Sequence, residues 1–201
     1  MEITTALIKE LREKTGVGMM LCKEALNETK GDFDLAVEYL RKKGIATAQK
    51  RSSRTTSEGQ IQAYIHGGGK IGVLIEVNCE TDFSGRSEDF STFVKDVAMH
   101  IAATNPIAIS RGDVLSGVLE KEKEIYAVQA RESGKPEKII EKIVEGKVAK
   151  FYEENCLLEQ AFVKNPDITI QDLLNDLIAK TGENIVIKRF ARFQLGDADE
   201  R

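Results

Sequence analysis

Apolar residues at helical spacing open the chain. Leu7, Ile8 and Leu11 share one side of a segment that Thr4 or Thr5 is placed to cap and Gly16 to end. A second helix is predicted from about Met19 to Thr29, with Cys22, Ala25 and Leu26 inward and Gly31 as its left-handed stop. Asp32 is the N-cap of a third, with Phe33, Val37 and Leu40 at helical spacing and an end near Gly44. A bundle of about 45 residues is small, so modest independent stability is expected of it. Residues 45–58 lose the apolar period and gain Ser, Thr, Lys and Arg, which reads as the tail of the third helix and a linker.

From Gln60 the period changes to two. Ile61, Ala63 and Ile65 alternate with Gln62, Tyr64 and His66, Gly67 to Lys70 make a turn, and Ile71 to Cys79 is rich in Val and Ile. That pattern predicts a β-hairpin. Thr81 to Ser87 is polar and turn-like, and Ser87 opens a helix with Phe90, Phe93, Val94, Val97, Ala98 and Ile101 on one face. Residues 113–156 read as two long charged helices broken at Gly134, with Pro136 in the first turn of the second. Their thin apolar stripes predict an antiparallel coiled-coil hairpin. Thr169 to Asp172 resembles a capping box for a helix carrying Leu173, Leu174, Leu177 and Ile178, and Ile185 to Leu195 is a final strand before an acidic tail. The expected fold class is α+β: a hairpin plus a C-terminal strand, with helices. The expected divisions are 1–54 for the helical domain and linker, 55–112 for a core sheet and helix, 113–156 for the hairpin and 157–201 for the rest of the core.

Composition narrows the functions. Charged residues make up 31% and hydrophobic ones 41% of 201, which suits a globular domain with a real core. No apolar run approaches the roughly 20 residues of a membrane span. Met1 to Thr4 lacks the order of a signal peptide, so a cytoplasmic location is the expectation. A net charge of −4 argues against direct nucleic-acid binding, although Arg41, Lys42, Lys43, Lys50, Arg51 and Arg54 gather near the end of the third helix. Three scattered cysteines, Cys22, Cys79 and Cys156, form neither a disulfide framework nor a zinc site and are expected to be buried or half-buried thiols.

Signs of covalent chemistry are missing. The Gly67–Gly69 run lies between strands rather than at a strand-to-helix phosphate cradle. His66 and His100 have no carboxylate cluster around them in sequence, and His100 is expected on a helix surface, partly buried. No cofactor, metal or catalytic residue is expected. What stands out is Glu80-Thr81-Asp82-Phe83-Ser84-Gly85, a polar loop with one large aromatic. Phe83 either tucks beneath the loop or anchors a partner. A plain helical interaction module, an RNA-associated ribosome factor and a thiol enzyme using Cys79 or Cys22 are the competing classes.

Three stretches carry a family resemblance. Thr15-Gly16-Val17-Gly18-Met19-Met20-Leu21-Cys22-Lys23-Glu24-Ala25-Leu26, Glu76-Val77-Asn78-Cys79-Glu80-Thr81-Asp82-Phe83, and Lys135-Pro136-Glu137-Lys138 through Val144-Glu145-Gly146-Lys147 lie in order along the chain. Together they resemble the signatures of elongation factor Ts in its short bacterial form. The resemblance implies a ubiquitin-associated-like three-helix N-terminal domain, elongation factor Tu as partner, and promotion of GDP release without an enzymatic reaction. It implies that Arg12, Met19, Met20 and Lys23 contact the GTPase domain, that Asp82 and Phe83, with Thr81, act near the partner's magnesium and phosphate site, and that His66 approaches its phosphate loop. Leu21 stands where the family often has Asp, Ser84 where it has Val, and Ala161 where short forms have Pro. The chain has sequence for one of the two core subdomains of long family members, from which a homodimer binding two GTPase molecules is expected, with Phe190 to Leu195 as the contact.

Overall fold

The computed structural model describes residues 3–134 and 136–197. Lys135 of the third motif, the first two residues and the tail beyond Asp197 lie outside the described residues. The fold is mixed helix and sheet, as the change of period predicts. Three helices come first: α1 (Thr5–Thr15), α2 (Met19–Glu28) and α3 (Phe33–Arg51). The hairpin strands β1 (Glu58–His66) and β2 (Ile71–Cys79) precede a short helix α4 (Asp82–Gly85) and the longer α5 (Glu88–Thr104). Then come α6 (Ser116–Glu132), α7 (Glu137–Asn155), two small strands β3 (Ala161–Phe162) and β4 (Asn165–Thr169), α8 (Ile170–Thr181) and β5 (Ile185–Gln194). One sheet has the order β1-β2-β5, and β3 pairs antiparallel with β4.

The chain forms two compact units. The first takes the chain up to Gln62, Glu76–Lys95 and Asp172–Lys188; the second takes Ala63–Ile75, Asp96–Gln171 and the chain from Arg189 onward.

In the first unit, Thr4 caps α1 by accepting the Leu7 N–H at 3.2 Å, and Asp32 caps α3 by accepting the Leu35 N–H at 2.9 Å. Ile8, Leu11, Val17, Cys22, Ala25, Leu26, Ala36 and Leu40 close into one apolar cluster, with Leu21 packed at its margin. Burying a side chain such as Leu26 contributes about 1.5–3 kcal/mol, and a handful of these holds a bundle of this size. The third helix does not end near Gly44. It runs on to Arg51, with Gly44 buried inside it, where a Cβ would meet that of Ala179 at an ordinary contact distance of 3.4 Å. The basic cluster is largely spent on internal ion pairs. Arg41 meets Asp172 at 2.7 Å, Lys42 meets Glu38 at 2.7 Å, Lys43 meets Glu24, and Arg54 meets Glu80 at 3.3 Å.

In the second unit, α6 and α7 lie side by side, tied by Lys147 donating to Gln129 at 2.6 Å and sitting 5.2 Å above the Tyr126 ring. At their foot, Arg111 forks onto the Glu159 carboxylate at 2.6 and 2.7 Å and covers the Tyr152 ring. His100 corrects its sequence reading: it is fully buried, not on the surface. Its Nδ1 accepts the Val163 N–H at 3.4 Å, which leaves the Nε2 proton to be donated to Gln160 Oε1 at 2.9 Å. The ring therefore pins the turn between β3 and β4. Burial, opposed by the Gln160 bond, pushes its pKa below the usual histidine value.

Candidate functional site

The loop after β2 owes its shape to close backbone approaches. Gly59, at φ +142°, lies where a Cβ would come within 2.1 Å of the Val77 carbonyl oxygen. Gly85 is less tightly confined, since a Cβ there would stand 3.3 Å from Cys79 Sγ and 3.5 Å from Gly59 Cα. Gln60 closes the same side by donating to the Gly85 carbonyl at 2.6 Å and to Ser91 Oγ at 2.9 Å. The polar stretch predicted as a turn is thus wound into one helical turn, α4. Thr81 is its N-cap and accepts the Ser84 N–H at 3.3 Å.

With Ser84 and Gly85 packed inward and Thr81 capping the turn, the side chains of Asp82 and Phe83 are left outside. Ser84 is buried, and its hydroxyl has no hydrogen-bond partner among the described residues. Phe83 does not tuck under the loop: 84% of it is exposed. Asp82 is exposed beside it and pairs with Arg86 at 3.2 Å. A phenyl ring left in water has lost the burial of about 1.5–3 kcal/mol that an inward position would bring. The local fold keeps it outside nonetheless.

A second exposed apolar feature in this unit lies at the start of α2. Met20 is 77% exposed and Met19 36%, with Lys23 one turn on, also exposed. Cys22, Ala25 and Leu26 take the inward side of the same helix. Arg12 is exposed near the end of α1, where its carbonyl accepts the Gly16 N–H at 2.7 Å. In the second unit, His66 is exposed at the end of β1, stacked on Tyr64 and bonded to its hydroxyl at 2.9 Å through Nδ1.

The described residues hold no group of three or more His, Cys, Asp and Glu able to grip a metal ion. All three cysteines are buried free thiols, and burial raises the pKa of Cys79 and Cys156. Among the described residues no helix is long and apolar enough to cross a membrane.

The protein-family model described as Elongation factor TS matches residues 36–197. The chain belongs to the elongation factor Ts family. It is 62% identical to the Elongation factor Ts of Syntrophobacter fumaroxidans over 196 residues, 98% of each chain. The Elongation factor Ts of Desulfotalea psychrophila is 63% identical over 98% of this chain and 100% of its own length. That of Caldanaerobacter subterraneus is 57% identical over 99% of this chain and all of its own.

Sequence reasoning missed the residues that hold the Phe83 turn. The Glu183 carboxylate accepts the Glu80 N–H at 3.1 Å, the Thr81 N–H at 3.0 Å and the Thr81 hydroxyl at 2.6 Å. In return Glu80 Oε1 accepts the Asn184 N–H at 2.6 Å, and that bond, with Arg54, pulls the Glu80 carboxyl below its usual pKa. Asn184 Nδ2 in turn donates to the Arg54 carbonyl at 2.8 Å. Glu183 lies 102 positions from Thr81, so no local pattern could have paired them.

Proposed function

We propose that this chain is a translation elongation factor that binds elongation factor Tu and speeds release of its GDP, without covalent chemistry of its own. The observation that carries the reading is Phe83, almost wholly exposed on a turn whose backbone is bonded at Thr81 before it and Ser84 after it. A rigid exposed aromatic is suited to entering a partner's pocket, since little freedom is lost on docking. Asp82 and Thr81 go with it, toward the magnesium and phosphate region of the GTPase. Linkage supplies the mechanism: a factor that binds the empty GTPase more tightly than the GDP-loaded one weakens GDP by the same ratio. Disturbing the bound cation is an effective way to create that difference, because the ion is the site's largest local charge.

The N-terminal helices, read as a ubiquitin-associated-like domain over residues 1–54, are the docking platform. Arg12, Met19, Met20 and Lys23 form its contact surface, and methionine adapts to a partner's contours. His66 makes a separate contact near the phosphate loop. The α6–α7 pair is a coiled-coil hairpin. The factor acts in the cytoplasm as a homodimer carrying two GTPase molecules. Supporting the dimer, Ala63, Ile65, Leu74, Ala191, Phe193 and Leu195 are all exposed on strands of one sheet or just past its last strand. Ile65 covers Gly72, and Leu195 donates its N–H to Lys70 at 2.8 Å, so these residues lie close together. An apolar sheet face of this kind marks an association surface. Phe193→Asp is expected to halve the mass seen by light scattering at micromolar concentration; a monomer mass for the parent chain would remove the dimer.

Release of labelled GDP from elongation factor Tu tests the function. Catalytic amounts of the chain should accelerate release many-fold; no acceleration would refute the proposal.

A further inference from the structure

The Glu80 and Thr81 polar groups of the first unit, just before Phe83, converge on two consecutive residues between α8 and β5. Glu183 takes three hydrogen bonds from Glu80 and Thr81, and Asn184 donates its N–H to the Glu80 side chain. The Thr81 hydroxyl is the relay: it donates to Glu183 Oε1 and accepts the Ser84 N–H. The Thr81 hydroxyl hydrogen is thereby committed to the carboxylate, which leaves a lone pair aimed at the first turn of α4. Glu183 thus holds the backbone just before Asp82 and Phe83 directly, and the Thr81 hydroxyl it orients holds Ser84 just after them.

We infer that Glu183 is a positioning residue for nucleotide exchange: it touches no nucleotide, and it fixes the turn from which Phe83 projects. This rests on the reading of Phe83 as the residue that enters the partner. The physical ground is preorganisation. Hydrogen bonds to a charged acceptor are the stronger kind, and three of them on two adjacent residues restrict the backbone before the partner arrives. A free turn would let the ring sample orientations that miss its pocket, and a misplacement of about 1 Å costs up to about 100-fold in a rate that depends on geometry. A carboxylate suits the turn because one oxygen takes the two neighbouring N–H groups while the other takes the Thr81 hydroxyl.

The test is a set of saturation curves for labelled GDP release from elongation factor Tu. It compares the parent chain, Glu183→Ala, Glu183→Gln, Phe83→Ala and the double variant, with amide hydrogen exchange read across residues 80–86. Glu183→Ala should lower the plateau rate about tenfold or more with little change in the half-saturating concentration, and should speed amide exchange at Thr81 and Ser84. Glu183→Gln should stay within about threefold of the parent, since its amide oxygen still accepts both N–H groups and its NH₂ can donate to the Thr81 oxygen. In the Phe83→Ala background the Glu183→Ala change should add less than about twofold, the non-additivity expected of residues acting through one group. If Glu183→Ala fails to fold, Glu183→Asp, whose carboxylate is one methylene too short to reach all three donors, should show the same kind of plateau loss. A folded Glu183→Ala or Glu183→Asp chain with the parent plateau overturns the inference while leaving Phe83 intact. Full additivity in the double variant also overturns it. Parent-like release by Phe83→Ala overturns the reading of Phe83 and the inference together.

Discussion

Two exposed apolar surfaces in the first unit are built on opposite plans. The Phe83 turn has a stiff backbone and a side chain with two rotatable bonds, held by Thr81, Glu183 and two confined glycines. The Met19–Met20 surface rests on a regular helix whose N-cap is Gly18, a residue with no side chain to cap it, and its methionine side chains are long and unbranched. A rigid ring suits work that depends on position, such as displacing part of a binding site. Adaptable thioethers suit adhesion, where contact area matters more than angle. On this account the turn governs the plateau rate of exchange and the helices govern the concentration needed to reach it.

The largest expected effect breaks the docking side from within. Leu26→Ala empties the centre of the helical cluster and should cost about 2–5 kcal/mol of stability there. Amide exchange should show α1–α3 opening, and the half-saturating concentration should rise while the plateau stays. A smaller change, Met19→Ala with Met20→Ala, leaves the fold alone. It should weaken half-saturation about tenfold, as expected for losing apolar contact area from two side chains. An equal fall in the plateau would erase the distinction between the two surfaces.

The second unit offers a contrast in how turns are held. His100 pins the turn at Val163 only while its Nδ1 is unprotonated. Its folded pKa is lowered below the ordinary 6.5, so the unfolded chain gains its proton first as pH falls. The stabilisation is complete above about pH 6.5 and is lost as pH falls through the folded value, by at most about 1.4 kcal/mol per pH unit. Denaturation midpoints measured between pH 7 and 5 should fall for the parent chain and fall less for His100→Gln. The smallest effect is a gain. Ser84→Ala removes a buried hydroxyl without a partner and should stabilise the turn by about 1 kcal/mol, measured as a raised melting temperature with exchange retained.

Much of this was legible in the residues. The first three helices, the hairpin, α5 and the final strand follow from periodicity, because each buries one face. Gly44 misled as a stop because a glycine buried inside a helix looks the same in sequence as one that ends it. The strands β3 and β4 are too short for a period to emerge, and β4 contains Pro166. The alternation of Ile61, Ala63 and Ile65 shows two faces but not which one meets water; in the fold the isoleucines are the exposed ones. Asp82 and Phe83 were visible as an aromatic in a polar loop. Their support was not, since Glu183 and Asn184 reach them only through the tertiary fold.

The central claim is that Phe83 drives exchange and is not merely an adhesive contact. The direct measurement is stopped-flow release of labelled GDP from elongation factor Tu across a titration of the parent and of Phe83→Ala, with circular dichroism to verify the fold. The account predicts that the variant still saturates at a similar concentration, with a plateau about ten- to a hundredfold lower, in keeping with the loss of one aromatic that the partner would bury. A folded variant that reaches the parent plateau at higher concentration would make Phe83 a docking residue and contradict the account.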